Sequence, residues 1–149
     1  MEFMKTDFLT DGELVLRLDH TVDPADTGRP DWLSAYHFRI CLRDGTEAGV
    51  CDLRVGHNES VYYGGNIGYR IHPPYRGRHY AGRACLLLFE LARRHGMEYL
   101  YITCNPENIP SRKTCEFAGG RLEAVVDLPP DNDMALEGET RKCIYKFSL

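Results

Sequence analysis

The residues best suited to chemistry in this chain form one short basic turn, Tyr75-Arg76-Gly77-Arg78-His79-Tyr80-Ala81-Gly82-Arg83. An alternating run from Asn66 to His72 precedes it, Pro73 and Pro74 stop that run, and an apolar run from Ala84 to His95 follows. A residue before proline is pushed out of the helical region, so the order reads strand, stop, turn, helix. Such a turn leaves backbone N–H groups unpaired at a helix start, where the helix dipole is positive. Arg76, Arg78 and Arg83 add full charges around it. The natural occupant is an anion, above all a phosphate group. Neither the P-loop pattern nor the dinucleotide-binding glycine fingerprint is present, so this phosphate seat is not that of a nucleoside triphosphate or dinucleotide site.

Other groups admit two readings each. His72, at the strand end, is either a base beside the turn or a partly exposed terminal residue. Asn108 opens a second helix, where asparagine is favoured as a cap in any case, or its side chain holds a ligand. Cys115 is a proton donor or a packed core thiol. Asp127, Asp131, Asp133, Glu137 and Glu139 form a solvated acidic loop or attract a cationic amine. The six cysteines lack C-x-x-C spacing and the six histidines form no H-x-x-x-H pair, so no metal site is expected.

These groups must be positioned by a chain of 149 residues, which reads as a single domain over 1–149. Glu13 to Asp19, Tyr36 to Arg43 and Ala48 to Val55 alternate or run extended, and Asp44-Gly45 between the last two signals a hairpin. A short helix is expected from Pro30 to Ser34. A fourth strand is expected over Val61 to His72, interrupted by a bulge or close backbone approach at Gly64-Gly65. From His79 to Arg94, the residues Ala84, Leu87, Leu88, Leu91 and Ala92 share one helical face, and Gly96 ends the helix. Glu98 to Cys104 is a strand and Ile109 to Phe117 a second helix. Arg121 to Leu128 and Glu139 to Ser148 close the fold as a hairpin around the loop Pro129 to Gly138. The strand before the first helix and the strand after it would be parallel. The fold class is α+β, a mixed and mostly antiparallel sheet with a central βαβ unit. Ligands in such sheets gather at the carboxyl ends of parallel strands, here His72 to Ala81 beside Cys104 to Asn108.

A net charge of −4 argues against a nucleic-acid partner. No apolar run approaches the ~20 residues of a membrane helix, and the first residues lack a secretory pattern. With scattered thiols, this points to the reducing cytoplasm.

The turn and its neighbours resemble the GNAT superfamily of acyl-CoA-dependent N-acyltransferases. Its pyrophosphate signature is Arg or Gln, two residues, Gly, one residue, then Gly or Ala. Here that window is Arg76-Gly77-Arg78-His79-Tyr80-Ala81, with His79 in place of the middle glycine. Ile71-His72-Pro73 matches the family's strand end, and Asn108-Ile109-Pro110-Ser111-Arg112-Lys113 with Gly119-Gly120 its second-helix motif. The similarity spans about residues 48–149. The resemblance implies transfer of an acetyl group from acetyl-CoA to a primary amine, on a small molecule or peptide, by direct attack in a ternary complex. It implies cofactor contacts at Ile71, His72, Arg76, Gly77, Arg78, His79, Tyr80, Ala81, Gly82, Asn108 and Ser111, and backbone donors near Ile71 and His72 that polarise the thioester. It is compatible with a homodimer. The tyrosine acid frequent in the family falls at Cys115, and no carboxylate lies on the strand from Asn66 to His72. Those two departures leave open a non-catalytic acyl-CoA-binding or sensing module.

Overall fold

Period-two alternation becomes strand in the first half of the chain. β1 (Leu14–Val22), β2 (Ala35–Leu42) and β3 (Glu47–Arg54) form an antiparallel meander, and β4 (Ile67–Ile71) adds to its end in the order β1-β2-β3-β4. The Asp44-Gly45 hairpin closes as expected, with the Leu42 N–H donating to the Thr46 carbonyl at 2.8 Å. The computed structural model describes residues 1–29 and 31–149.

Two local readings are corrected. Glu59–Gly64 is a helix (α2), not the start of a strand, although its Val-Tyr-Tyr core favours β structure. Asn58 overrides that preference by capping the helix, its Oδ1 accepting the Val61 N–H at 2.9 Å. Gly65, at φ +82°, then stops it where the backbone passes β5 (Tyr99–Cys104); a Cβ there would lie 3.2 Å from the Thr103 nitrogen. The expected close approach at this glycine pair is therefore present, at Gly65. The helix expected over Pro30 to Ser34 begins at Pro30, which lies outside the described residues, and Asp31 to Ser34 are not helical. The helical turn comes earlier, at α1 (Pro24–Thr27), capped by Asp23.

A 3₁₀ turn at Pro73–Tyr75 leads into α3 (Tyr80–Arg94). Its face of Ala84, Cys85, Leu88, Leu91 and Ala92 is buried in one core with Tyr36, Phe38, Cys51 and Leu53 of the meander, while Leu86 stays exposed. After β5 come α4 (Ile109–Phe117), β6 (Arg121–Asp127), α5 (Asp133–Leu136) and β7 (Arg141–Ser148). The last loop thus contains a helical turn rather than irregular chain alone. β7 pairs with both β5 and β6, giving a second antiparallel sheet in the order β5-β7-β6.

The α+β class stands, and β4, α3 and β5 follow in the expected order. β4 and β5, however, share no ladder: every strand pairing among the described residues is antiparallel, and the two strands belong to different sheets. They are joined just before β4 begins, through Asn66. Its N–H donates to the Tyr101 carbonyl (2.7 Å) and its Oδ1 accepts the Tyr101 N–H (3.0 Å). Its Nδ2 donates to the carbonyls of Arg54 (3.0 Å) and Gly56 (2.8 Å). A fully buried amide with all these groups paired is a strong joint.

Candidate functional site

The parting of the sheets leaves β4 as an edge strand. Its bonds to β3 run through the pairs Arg54–Asn66 (2.7 Å) and Ala48–His72 (2.8 Å), and the register keeps Gly49 opposite Ile71. In an antiparallel ladder the bonded pairs alternate, so Ile67, Tyr69 and Ile71 direct their backbone groups away from β3, to the open edge. Ile71 therefore offers a free N–H. His72 does not: its N–H is spent on the Ala48 carbonyl, which corrects the expectation that both residues supply backbone donors. The His72 imidazole pairs with Glu47, Nε2 to Oε2 at 2.6 Å.

The basic turn stands at the end of this edge. Among the described residues, no carbonyl or side chain accepts from the N–H groups of Gly77 through Gly82; the first bonded amide is Arg83, to the His79 carbonyl at 2.9 Å. Gly77 (φ +82°) and His79 (φ +61°) both turn left-handed, and His79 is the only non-glycine described with positive φ. His79 thus adopts the conformation a glycine would have taken, at a cost of ~1 kcal/mol. Its ring does not fill the turn but stacks on Phe117 of α4, with centroids 4.5 Å apart. Arg76 and Arg78 are exposed, and the Arg76 Nε donates to the Ile71 carbonyl at 3.1 Å, tying the turn to the strand end.

Two side chains of the turn face elsewhere. Tyr80 is buried and its hydroxyl donates to Glu13 at 3.0 Å. Arg83, expected among the charges of the turn, is held by Asp11 (2.8 Å) and Glu13 (3.4 Å). Burial of Asp11 opposes its ionisation, but the N–H groups of Leu14 and Glu13 together with Arg83 outweigh this and hold its carboxyl below the usual range.

α4 begins beside β4. Asn108 caps it, accepting the Ser111 N–H at 3.2 Å, and the Ser111 Oγ lies 2.6 Å from the Tyr69 hydroxyl of β4. Burial pushes the Tyr69 phenol up, with Ser111 pulling the other way. Ser111 is thereby brought to the strand that carries Ile71. Cys115, in contrast, is fully buried in the core, and burial pushes its thiol well up. At the end of β5, Asn105 donates to Glu139 at 2.9 Å, while its Oδ1 is buried without a partner among the described residues.

Three of the five acidic residues of this loop are ion-paired. Asp127 faces Arg141 (3.7 Å), Asp133 faces Arg29 (3.6 Å) and Glu139 faces Lys142 (3.1 Å). A cavity of about 420 Å³ lies between this loop, α2 and the far end of the meander, with Trp32, Arg54 and Met134 in its walls.

Sequence reasoning missed Asn66, Tyr69 and Asp52. Asp52 of β3 reaches β4, where its Oδ1 accepts the Gly68 N–H at 3.1 Å. A carboxylate thus stands over β4 although β4 carries none. Only strand register could reveal it.

No helix among the described residues is long and apolar enough to cross a membrane. All six cysteines are buried and free. No curated protein matches the chain. Solved structures do. A Vibrio cholerae protein provisionally named a ribosomal-protein-serine acetyltransferase is 23% identical, with a TM-score of 0.66 over 98% of this chain and 100% of that one. A GNAT-family acetyltransferase from Bacillus anthracis is 22% identical, with a TM-score of 0.60 over 75% of this chain. The microcin C7 self-immunity acetyltransferase MccE, solved with acetyl-CoA and AMP, is 20% identical, with a TM-score of 0.61 over 84%. The chain spans 65% of the length of each of the last two. At these identities the likeness is one of fold. The family model described as acetyltransferase (GNAT) domain matches residues 2–121, and with most of its length so matched the chain belongs to the GNAT acetyltransferase family.

Proposed function

We propose that this protein is a cytoplasmic N-acetyltransferase that transfers an acetyl group from acetyl-CoA to a primary amine by direct attack in a ternary complex. One observation carries the reading: a run of unpartnered N–H groups, Gly77 through Gly82, at the start of a long helix beneath two exposed arginines. Donors so arranged suit a pyrophosphate. The binding of acetyl-CoA by MccE supports the choice of ligand.

In this reading Arg76, Gly77, Arg78, His79, Tyr80, Ala81 and Gly82 hold the pyrophosphate, Tyr80 and Ala81 through their backbone. The open edge of β4 accepts the extended arm. Asn108 and Ser111 line the opposite wall. Of the N–H groups on that edge, Ile71's bonds the arm and Tyr69's, next to Gly68, polarises the thioester carbonyl, and alignment of the two substrates supplies much of the rate. Acetyl-CoA, when bound, supplies the activated acyl group. The free buried thiols suit a reducing compartment.

A second reading has its own observation. Cys115 stands where a tyrosine acid is frequent in the family and is sealed in the core, as a non-catalytic acyl-CoA binder would tolerate. Calorimetric titration with acetyl-CoA, run beside a thiol-release assay over peptides, polyamines, aminoglycosides and amino acids, separates the two. Binding with turnover is expected. Binding without turnover on any amine would establish the second reading, and no binding at millimolar acetyl-CoA would end both.

A further inference from the structure

The outer face of the meander, opposite α3, carries a row of polar residues set by register: His20 faces His37, His37 faces Asp52, and Asp52 faces Gly68. This row crosses an open groove of about 510 Å³ that also includes Asp19, Arg39, Glu47 and Arg70. Its volume suits a small molecule. The imidazoles of His20 and His37 stack at 4.4 Å and form one wall.

Most of the charge in this groove is already matched. Asp19 is met by Arg39 (3.3 Å) and His20 (2.6 Å), and Glu47 by His72 (2.6 Å). Arg54 bonds the Gly65 carbonyl (2.9 Å) and forms an ion pair with Asp52, to Oδ1 at 3.8 Å. Two groups have no hydrogen-bond partner among the described residues. One is Oδ2 of Asp52, on a side chain 20% exposed that takes no donor. The other is the exposed guanidinium of Arg70, which meets no carboxylate.

Their placement relative to β4 is specific. Gly68 has no side chain, and a Cβ there would lie 3.1 Å from Asp52 Oδ2. The carboxylate therefore looks directly onto the strand whose other edge is open. That edge is about one strand spacing, ~5 Å, away. Arg70 follows Gly68 by two residues on the same face, ~7 Å along the strand.

We propose that this groove is the acceptor subsite and that the acceptor is a zwitterion, a primary amine with an anionic group a few bonds away, such as an amino acid or short peptide. Asp52 Oδ2 holds the ammonium beside the edge of β4, and Arg70 holds the anion. This rests on the acetyltransferase reading. The ammonium gives one proton to water at Asp52, and its nitrogen then bonds to the thioester carbonyl carbon. As the carbon–sulfur bond breaks, the second nitrogen proton ends on the departing sulfur, leaving amide and free thiol. Asp52 is thereby a binding and orienting group whose loss is felt through the amine rather than through acetyl-CoA.

The test uses three probes: alanylglycine, its C-terminal amide, and cadaverine, each with acetyl-CoA and the full chain. We expect kcat/KM to be at least tenfold higher for alanylglycine than for the amide or the diamine. Asp52→Asn, which keeps an acceptor for the Gly68 N–H, should lower kcat/KM for alanylglycine at least tenfold, mainly through KM. Arg70→Gln should shrink the acid-to-amide ratio to within about twofold. A retained rise in melting temperature with acetyl-CoA shows that each variant is folded. Turnover of amide or diamine equal to that of alanylglycine, or an Asp52→Asn enzyme with unchanged KM, would overturn the subsite and leave the acetyltransferase reading standing. Binding of acetyl-CoA with no turnover of these probes or of the wider amine panel would overturn both.

Discussion

Asn66 and Tyr101 exchange two hydrogen bonds, at 2.7 and 3.0 Å, where the two sheets of this protein meet. Just beyond that contact β4 and β5 belong to separate sheets, and the candidate cofactor cleft opens between them. Removing the amide leaves the Tyr101 N–H and the carbonyls of Arg54 and Gly56 without their donor or acceptor. Asn66→Ala should therefore cost about 3 kcal/mol or more, since each buried group left unpaired costs ~1–3 kcal/mol. Chemical denaturation measures it. A loss under 1 kcal/mol would mean that water replaces the amide.

The stack of His79 on Phe117 depends on Gly82, one turn along α3. A Cβ at Gly82 would come within 2.3 Å of the Phe117 ring. Gly82→Ala should thus push α4 from α3 and destabilise the protein by ~1–3 kcal/mol, with partial rescue in a Gly82→Ala, Phe117→Ala double variant. His79→Gly removes the stack and the left-handed strain together. Its melting temperature should stay close to wild type, and its CoA affinity should be unchanged or improved. A tenfold loss of CoA affinity, read by calorimetry, would mark the imidazole as a ligand.

Arg76→Ala separates a phosphate seat from a solvated surface turn. On the proposed reading it lowers CoA affinity about tenfold or more, and the loss grows at low salt, where an exposed charge is least screened. Titration at two ionic strengths checks both statements.

Cys115 is sealed in the core, so its thiol should resist alkylation in the folded state and react only after unfolding. Cys115→Ala should cost ~1–2 kcal/mol of stability while leaving kcat within about threefold. A fall in kcat of two orders of magnitude without a matching loss of stability would restore Cys115 as a proton donor.

Burial pushes the imidazoles of His57 and His95 below their ordinary value. The unfolded chain takes up those protons near pH ~6.5, before the folded protein does. Stability is then full above that pH and declines as pH falls through ~6.5 toward 5. Asp11 adds a second decline below pH ~4, because its folded carboxyl holds its charge to lower pH than the unfolded one. Melting temperatures at constant ionic strength should be level from pH 8 to 7 and fall below it. His95→Gln should flatten the upper window. A flat profile from pH 7 to 5 in the wild type would contradict the histidine assignment.

Much of this was legible from residue order. Alternation marked β1, β2 and β3, the apolar face of Ala84 to Ala92 marked α3, and Asn108 with Gly119 bounded α4, because those signals are local. The basic turn was legible for the same reason: Pro73, Gly77 and the helix that follows are neighbours in the chain. α2 was misread because Val61, Tyr62 and Tyr63 favour a strand, and the Asn58 cap with contacts to β5 outweighs that preference. What only the tertiary structure decided was pairing. Register placed Asp52 over Gly68, spent the His72 N–H on Ala48, and turned Ile71 to an open edge. Long-range ion pairs withdrew Arg83 from the turn to Asp11, and packing sealed Cys115 away. Each of those outcomes joins residues distant in the chain through a hydrogen bond or a buried contact, and no spacing along the sequence encodes it directly.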